Sequence, residues 1–392
     1  VWLFKDQRTR ISELSSSGIG QFELLLIPDY IISARFRRSV YVPRRVFFTA
    51  NEGLIRHIFR LDREIISAGS AYYFLSPFLG SRSVFVLDNQ RHSFAKRETI
   101  ATIKRDIKFD GEDVRVLDVS LREGFIEGEY EILPIIQRIS AQIVLHSIFP
   151  ECELLDTDEV LNAAVQNISK VSGAVLLFPS SFPKRIGRMA SIRKNKKVIV
   201  DFIRDRLKSG PASETYREQI EKYGIRFVSD NLLTLFIAGF ETTAASITWG
   251  LIELSRSPED QIALRKEINT AIDDAETLIE YVSSPHTLLH RYCLETFRRR
   301  PPIPFVLRKA NKSFDYVSAE GSVQVKRGGY VLCSIEDHNR RAVTDGGEFS
   351  LLHRENQIDP SRLLTFGGGP KICPGRHVAT TEFKLISALL LS

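Results

Sequence analysis

The sequence predicts a mainly helical protein with a small β region, and three observations carry that prediction. Between about residues 89 and 300, apolar residues recur at helical spacing with few interruptions. Residues 301–365 break that rhythm with two adjacent prolines, then short β-like pieces separated by Gly, Asn and Asp. Near the other end, VYVPRRVFFT from residue 40 reads as strand, so the small sheet should draw on both ends of the chain. At 392 residues, 43% hydrophobic and 26% charged, the chain can bury a large core and is too apolar to be disordered.

Taken in order, the first helix is NEGLIRHIFRLD, opened by Asn51, whose short side chain can accept an N–H that the first helical turn leaves unpaired. Four long helical segments follow: QRHSFAKRETIATIKRD, EILPIIQRISAQIVLHSIF, SIRKNKKVIVDFIRDRLKSG and PEDQIALRKEINTAIDDAE. The most apolar stretch, residues 232–254, is long enough to span a bilayer, which takes about 20 residues. Glu241 sits in its middle, beside Thr242, Thr243 and Ala244. A carboxylate in hydrocarbon costs several kcal/mol unless it has a partner or a use. The stretch therefore reads as a helix through the centre of a soluble protein. FVLRKA and SVQVKRGGYVLCS supply strands after residue 301. No repeat or low-complexity linker divides residues 1–392, so one domain is expected.

The net charge of +6 comes from 54 basic against 48 acidic residues, which suits an acidic protein partner and does not call for nucleic acid. Cysteines 152, 293, 333 and 373 form no CxxC pair, which excludes a zinc knuckle or thiol redox motif, and they are too few for a disulfide scaffold. The lone Met189 is not residue 1, and KLISALLLS stops within an apolar helical pattern, so the natural protein is expected to continue past both ends. VWLFKDQRTR is too charged for a membrane anchor, and a cytoplasmic location is expected unless an N-terminal anchor has been removed.

The strongest chemical signal is FGGGPKICPG, Phe366 to Gly375. Three consecutive glycines let the backbone turn tightly and approach a flat object closely, and Pro374 and Gly375 mark the start of a helix. A cysteine at that place has its thiolate favoured by the helix dipole and nearby N–H groups, so Cys373 reads as an anionic ligand or nucleophile.

With these residues the sequence resembles the cytochrome P-450 family of haem-thiolate monooxygenases. The family's F-x-x-G-x-R-x-C-x-G pattern is met by Phe366, Gly369, Lys371, Cys373 and Gly375, with lysine standing where arginine is usual. Lysine keeps the positive charge but loses the bidentate fork. Ala379 and Glu382 follow where the family carries those residue types. The central AGFETT matches A/G-G-x-D/E-T-T/S at Ala238, Gly239, Glu241, Thr242 and Thr243, and ETFR matches E-x-x-R at Glu295 and Arg298. His92 and Lys96, one helical turn apart in HSFAKR, stand where the family offers an aromatic or His and then a basic residue.

The resemblance implies a cytochrome P-450 fold over residues 40–392 with haem b (iron-protoporphyrin IX) as cofactor. It assigns Cys373 as the iron ligand, and His92, Lys96, Ala238, Arg308, Phe366, Gly367, Lys371 and Gly375 as further haem contacts. Glu241 and Thr242 become the catalytic pair: the acid connects to solvent and the hydroxyl holds dioxygen and ordered water, while Gly239 leaves room for oxygen. Glu295 and Arg298 become a buried structural pair completed by His353, in a meander motif with Phe349 in place and Leu351 where proline is usual. Substrate contacts are expected at Tyr72, Tyr73, Phe74, Phe236, Ile237, Ile303, Phe305 and Val306, with a roof near 174–183. These side chains favour a hydrophobic substrate.

The implied activity is insertion of one atom of dioxygen into such a substrate. No flavin or nicotinamide fingerprint is present in the sequence, so electrons are expected from a ferredoxin, flavodoxin or flavoprotein reductase docking near Lys96, Arg97, Lys371 and Arg376. Two alternatives are a peroxide-driven peroxygenase, which would not need the Glu241 and Thr242 relay, and a non-catalytic haem-thiolate sensor. Cys152, Cys293 and Cys333 are left as buried thiols.

Overall fold

The computed structural model describes residues 19–22, 46–61, 64–106, 111–124, 131–150, 157–174, 187–318, 321–342, 348–352 and 358–392. His353, Cys152 and the expected roof beyond Ala174 lie outside the described residues, as does the side chain of Phe74.

Strands β1 (Ile19–Phe22) and β2 (Val46–Thr49) lead into α1 (Glu52–Arg60), where the Asn51 side chain accepts the Leu54 N–H at 2.8 Å. After β3 (Ile66–Ser67) come α2 (Asn89–Asp106), α3 (Gly111–Gly124), α4 (Ile132–Ile148), α5 (Asp158–Ala174) and α6 (Gly187–Lys208). The central helix α7 (Ile225–Leu254) is followed by α8 (Pro258–Ala271), α9 (Ala275–Ser283) and α10 (Leu288–Arg299). Strands β4 (Phe305–Ala310), β5 (Phe314–Ser318), β6 (Gly321–Val325) and β7 (Tyr330–Ser334), then α11 (Ile335–Arg340) and α12 (Arg376–Leu391), complete the described chain.

The expected helix over 258–276 is two helices. Asp274 accepts the Thr277 N–H while the Thr277 hydroxyl accepts the Asp274 N–H, a capping box that starts a new helix where the pattern alone looked continuous. Five strands form one sheet in the order β1-β2-β7-β4-β3, with β2 parallel to β7 and the other pairs antiparallel. The sheet therefore joins early and late segments of the chain, and β5 and β6 form a separate hairpin.

Helix α7 is, among the described residues, the one long and apolar enough to cross a bilayer by length and composition, yet its two halves bury in two different cores. Phe227, Leu232, Phe236 and Phe240 join a cluster with α4, α5 and α6, while Ala244, Ile247 and Leu254 join one with α3, α4, α8, α9, α10 and α12. Glu241, Thr242 and Thr243 lie at the junction between the two cores.

Candidate functional site

Main-chain geometry shapes the loop that carries Cys373. Its N–H donates to the Phe366 carbonyl at 2.9 Å, and the Ile372 N–H to the Gly369 carbonyl at 3.1 Å. Gly367 (φ 73°) and Gly369 (φ 61°) occupy the left-handed region that glycine alone enters freely. A Cβ on Gly369 would lie 2.0 Å from the Phe59 carbonyl oxygen, so the loop packs directly on α1. Phe366 stacks edge-on against Phe297 with 5.3 Å between ring centroids.

Cys373 is open to solvent on one side and crowded by protein on the others. The crowding raises its thiol pKa, and the Gly375 N–H and Lys96 ammonium recover only part of that rise. Desolvation thus outweighs the helix terminus that was expected to favour the thiolate. A bound cation would supply the missing stabilisation, because a coordinating thiol loses its proton.

Helix α2 brings its own motif to this loop. Lys96 donates to the Pro370 and Ile372 carbonyls at 2.9 and 2.7 Å, and His92 is buried on the same face. A cavity of about 250 Å³ is lined by His92, Ser93, Lys96, Arg97, Ile100 and Pro370. Lys371 points to the chain before α2 and donates to the Leu87 carbonyl at 2.6 Å. Next to it, Asp88 is raised by burial but held below the usual carboxylate range by Ser67, the Gly69 and Ser70 N–H groups and Lys371. Arg308 is buried on β4, with its guanidinium 5.1 Å over the Phe59 ring that abuts the glycine loop.

On α7, Ala238 is exposed and Thr242 half-buried one turn later, so both lie on the helix's open face. The Thr242 hydroxyl donates to the Ala238 carbonyl at 2.7 Å. Glu241 turns toward α4 and accepts from Gln137 Nε2 at 2.7 Å; burial raises its pKa and the Gln137 bond offsets part of the shift. A Cβ on Gly239 would meet Val144 on α4 at 3.1 Å, so this glycine serves helix packing where room for oxygen was expected.

Glu295 and Arg298 form a fully buried bidentate pair at 2.7 and 2.6 Å, and Arg298 Nη1 also donates to the Arg340 carbonyl at 3.3 Å. Phe349 stacks on Tyr292, and the buried Leu351 is held at its N–H by Asp260 and at its carbonyl by Arg291.

The expected substrate contacts separate. Tyr73 and Ile303 are exposed, and Ile237, Phe305 and Val306 are half-buried. Tyr72 accepts the Leu307 N–H at 2.7 Å and stacks on Phe85, tying its segment to β4. Phe236 is a correction: it is fully enclosed against Phe240 and offers no surface to a ligand, because its position on α7 faces the α4–α5–α6 core.

Sequence reasoning missed Gln137, Ser140 and Asn339. Gln137 and Ser140 interrupt the apolar face of α4 at i and i+3, a polar break that could have marked them. Asn339 has no such local signal. It bonds the Phe297 carbonyl, the Thr365 hydroxyl and the Leu364 N–H, which fixes the chain just before the cysteine loop.

Fold and site together define a helical protein that presents one cysteine thiol on a glycine-built loop, on a helix packed against a long central helix. The family sequence model for Cytochrome P-450 matches residues 122–392. Cytochrome P-450 monooxygenase claQ of Ampulloclitocybe clavipes is 28% identical over 255 residues, covering 55% of this chain and 48% of that protein. A putative cytochrome P-450 138 of Mycobacterium tuberculosis is 25% identical over 385 residues, covering 91% of this chain and 81% of that protein. The crystal structure of a cytochrome P450DA mutant heme domain superposes with a TM-score of 0.71 at 16% identity, covering 97% of this chain and 84% of that one. The chain belongs to the cytochrome P-450 family. It spans about half the length of the claQ protein.

The family implies a haem, and the residues present fit one. The donor set is a single soft sulfur, open on one side, on a loop whose Gly367, Ile372 and Cys373 N–H groups donate to main-chain carbonyls. Lys96, bonded to the Ile372 carbonyl, and Lys371 on the loop itself supply cations next to it, and Arg308 lies over the Phe59 ring that abuts the loop. Among the described residues no group of three His, Cys, Asp or Glu offers a rival metal site.

Proposed function

We propose that this chain is a haem-thiolate monooxygenase, one domain built around haem b, that activates dioxygen and oxidises a hydrophobic organic substrate with electrons from an external donor. The observation that carries the reading is Cys373 on its Gly367 and Gly369 loop, ahead of α12 and with α12 packed on the Thr242 helix. Haem bound through Cys373 supplies electron-rich iron that favours O–O cleavage. Lys96, Arg308 and Lys371, which now donate to main-chain carbonyls, would be the cations that hold its carboxylates. Thr242 holds and orients a proton at its Oγ1, and Glu241, whose pKa burial raises, is the acid that holds and releases one beside it.

The presence of both groups favours dioxygen over peroxide as oxidant. Replacing Cys373 by serine should abolish the thiolate-type carbon monoxide difference spectrum. Thr242→Ala should leave that spectrum intact and lower product formed per electron consumed. An unchanged ratio overturns the relay, and a wild-type protein with no thiolate-type spectrum overturns the haem reading itself.

The electron donor docks on the cysteine side. Lys96 and Lys371 are engaged by carbonyls, so the docking charge falls to Arg97, 71% exposed, and to the exposed Arg376. Reduction by a ferredoxin should therefore slow as ionic strength rises.

A further inference from the structure

A chain of buried polar groups crosses three helices beneath the Glu241 turn. Ser140 Oγ on α4 lies 2.5 Å from Glu382 Oε1 on α12 and 3.2 Å from the Phe240 carbonyl on α7. All three residues are enclosed, and Glu382 is 1% exposed. One turn earlier on α4, Gln137 holds Glu241. The serine has a single hydrogen, whereas a peptide carbonyl and an ionised carboxylate are both acceptors only. With Glu382 ionised, Ser140 can donate to only one neighbour, and a serine turned to the Phe240 carbonyl, which already has its helix N–H, leaves the buried carboxylate without the one donor found for it among the described residues. With Glu382 protonated, both bonds form: the acid donates to Ser140 Oγ and Ser140 donates to the Phe240 carbonyl.

The turn above it bears an unusual load. The Thr242 and Thr243 hydroxyls donate to the Ala238 and Gly239 carbonyls, so with Ser140 three successive carbonyls of α7 each accept a side-chain hydroxyl. Such bonds compete with the helix's own N–H donors and bend it. A turn softened in this way needs an external restraint if Thr242 is to keep one position.

We propose that Glu382 is a positioning residue that works as a neutral hydrogen-bond donor, fixing the Ala238–Thr242 turn through Ser140 to the helix that follows Cys373. The inference rests on the proposed proton-handling role of Thr242 and Glu241. Burial supports the neutral state, pushing the Glu382 carboxyl up to about 8 against a smaller opposing effect of the Ser140 bond. Because the element needed is a neutral donor of the right length, an amide can replace the acid but an alkyl group cannot.

The test uses the haem-loaded full chain and two readouts. Infrared spectroscopy at neutral pH should show a protonated-carboxyl C=O band that Glu382→Gln removes. Product per electron should be retained in Glu382→Gln and fall about fivefold in Ser140→Ala, the ratio that corresponds to one lost hydrogen bond. Absence of the band from the wild type, or its survival in Glu382→Gln, overturns the protonation state. Equal loss in Glu382→Gln and Ser140→Ala, or no loss in Ser140→Ala, overturns the positioning role. If Thr242→Ala itself leaves the ratio unchanged, the relay reading fails instead, and the infrared band still decides the state of Glu382.

Discussion

The two sides of the site are built on opposite plans. The cysteine side is held by backbone: Cys373 and Ile372 N–H groups turned onto loop carbonyls, two glycines at positive φ, and a close approach to Phe59. The central-helix side is held by side chains from elsewhere in the chain, Gln137 and Ser140 from α4 and Glu382 from α12. A backbone-built loop fixes one sulfur rigidly, which suits the metal ligation proposed for Cys373. A side-chain-built turn can change its hydrogen bonding, which suits the proton handling proposed for Glu241 and Thr242. The difference also sets what each side should tolerate: the first fails on a single added methyl, and the second responds to the loss or retention of one donor.

Gly369→Ala should give the largest effect. The new Cβ would sit 2.0 Å from the Phe59 carbonyl oxygen, a backbone atom that cannot swing aside, at a φ of 61°. The left-handed conformation costs an alanine roughly 1–2 kcal/mol, and the overlap adds about 1–3 kcal/mol. Thermal unfolding and haem retention should both show a loss of about 2–5 kcal/mol. A variant with wild-type Tm and full haem content would show that the loop is far softer than its hydrogen bonds indicate.

Glu382→Gln should act next, and only through pH. Folding raises this carboxyl from 4.5 to about 8, so between those values the folded protein binds a proton that the unfolded chain has released. The stabilising difference is complete below 4.5 and is lost progressively as pH climbs to about 8. One such group gives a slope of about 1.4 kcal/mol per pH unit, which glutamine removes. Denaturant unfolding across that window should therefore show a flatter profile for Glu382→Gln. Parallel profiles would mean that Glu382 is already ionised in the folded protein.

This contrast explains what could be read from the sequence. The Cys373 loop is local: the Gly-rich run, the Pro374–Gly375 step and the helix after it are consecutive residues whose conformational demands are intrinsic to them. The same holds for the Asn51 cap and for the E-x-x-R pair, whose partners are three residues apart. Glu241 was legible as a carboxylate in need of a partner, but the partner was not, since Gln137 lies 104 residues away. Phe236 and Gly239 were misread for a related reason. A one-dimensional motif marks a helix as part of the site without saying which of its faces meets α4 and α5.

Lys371 tests the boundary between the two plans, with the smallest effect. It replaces the arginine usual in the family motif, and its ammonium reaches across to the Leu87 carbonyl at 2.6 Å and the Val84 carbonyl at 3.5 Å. Asp88, beside it, holds Ser67 and the Gly69 and Ser70 N–H groups, so Lys371 links the cysteine loop to the segment bearing Tyr72. Lys371→Met removes a charged donor from a half-buried carbonyl, a loss of about 1–2 kcal/mol. Lys371→Arg keeps the charge and offers the Leu87 carbonyl another donor, so its stability should stay near that of the wild type. Chemical unfolding of the two variants separates the roles: if the link to Leu87 is the function, methionine is the worse replacement. If both variants unfold alike but differ in haem retention, the lysine serves the cofactor alone, and the cysteine side is held by its backbone without help from this side chain.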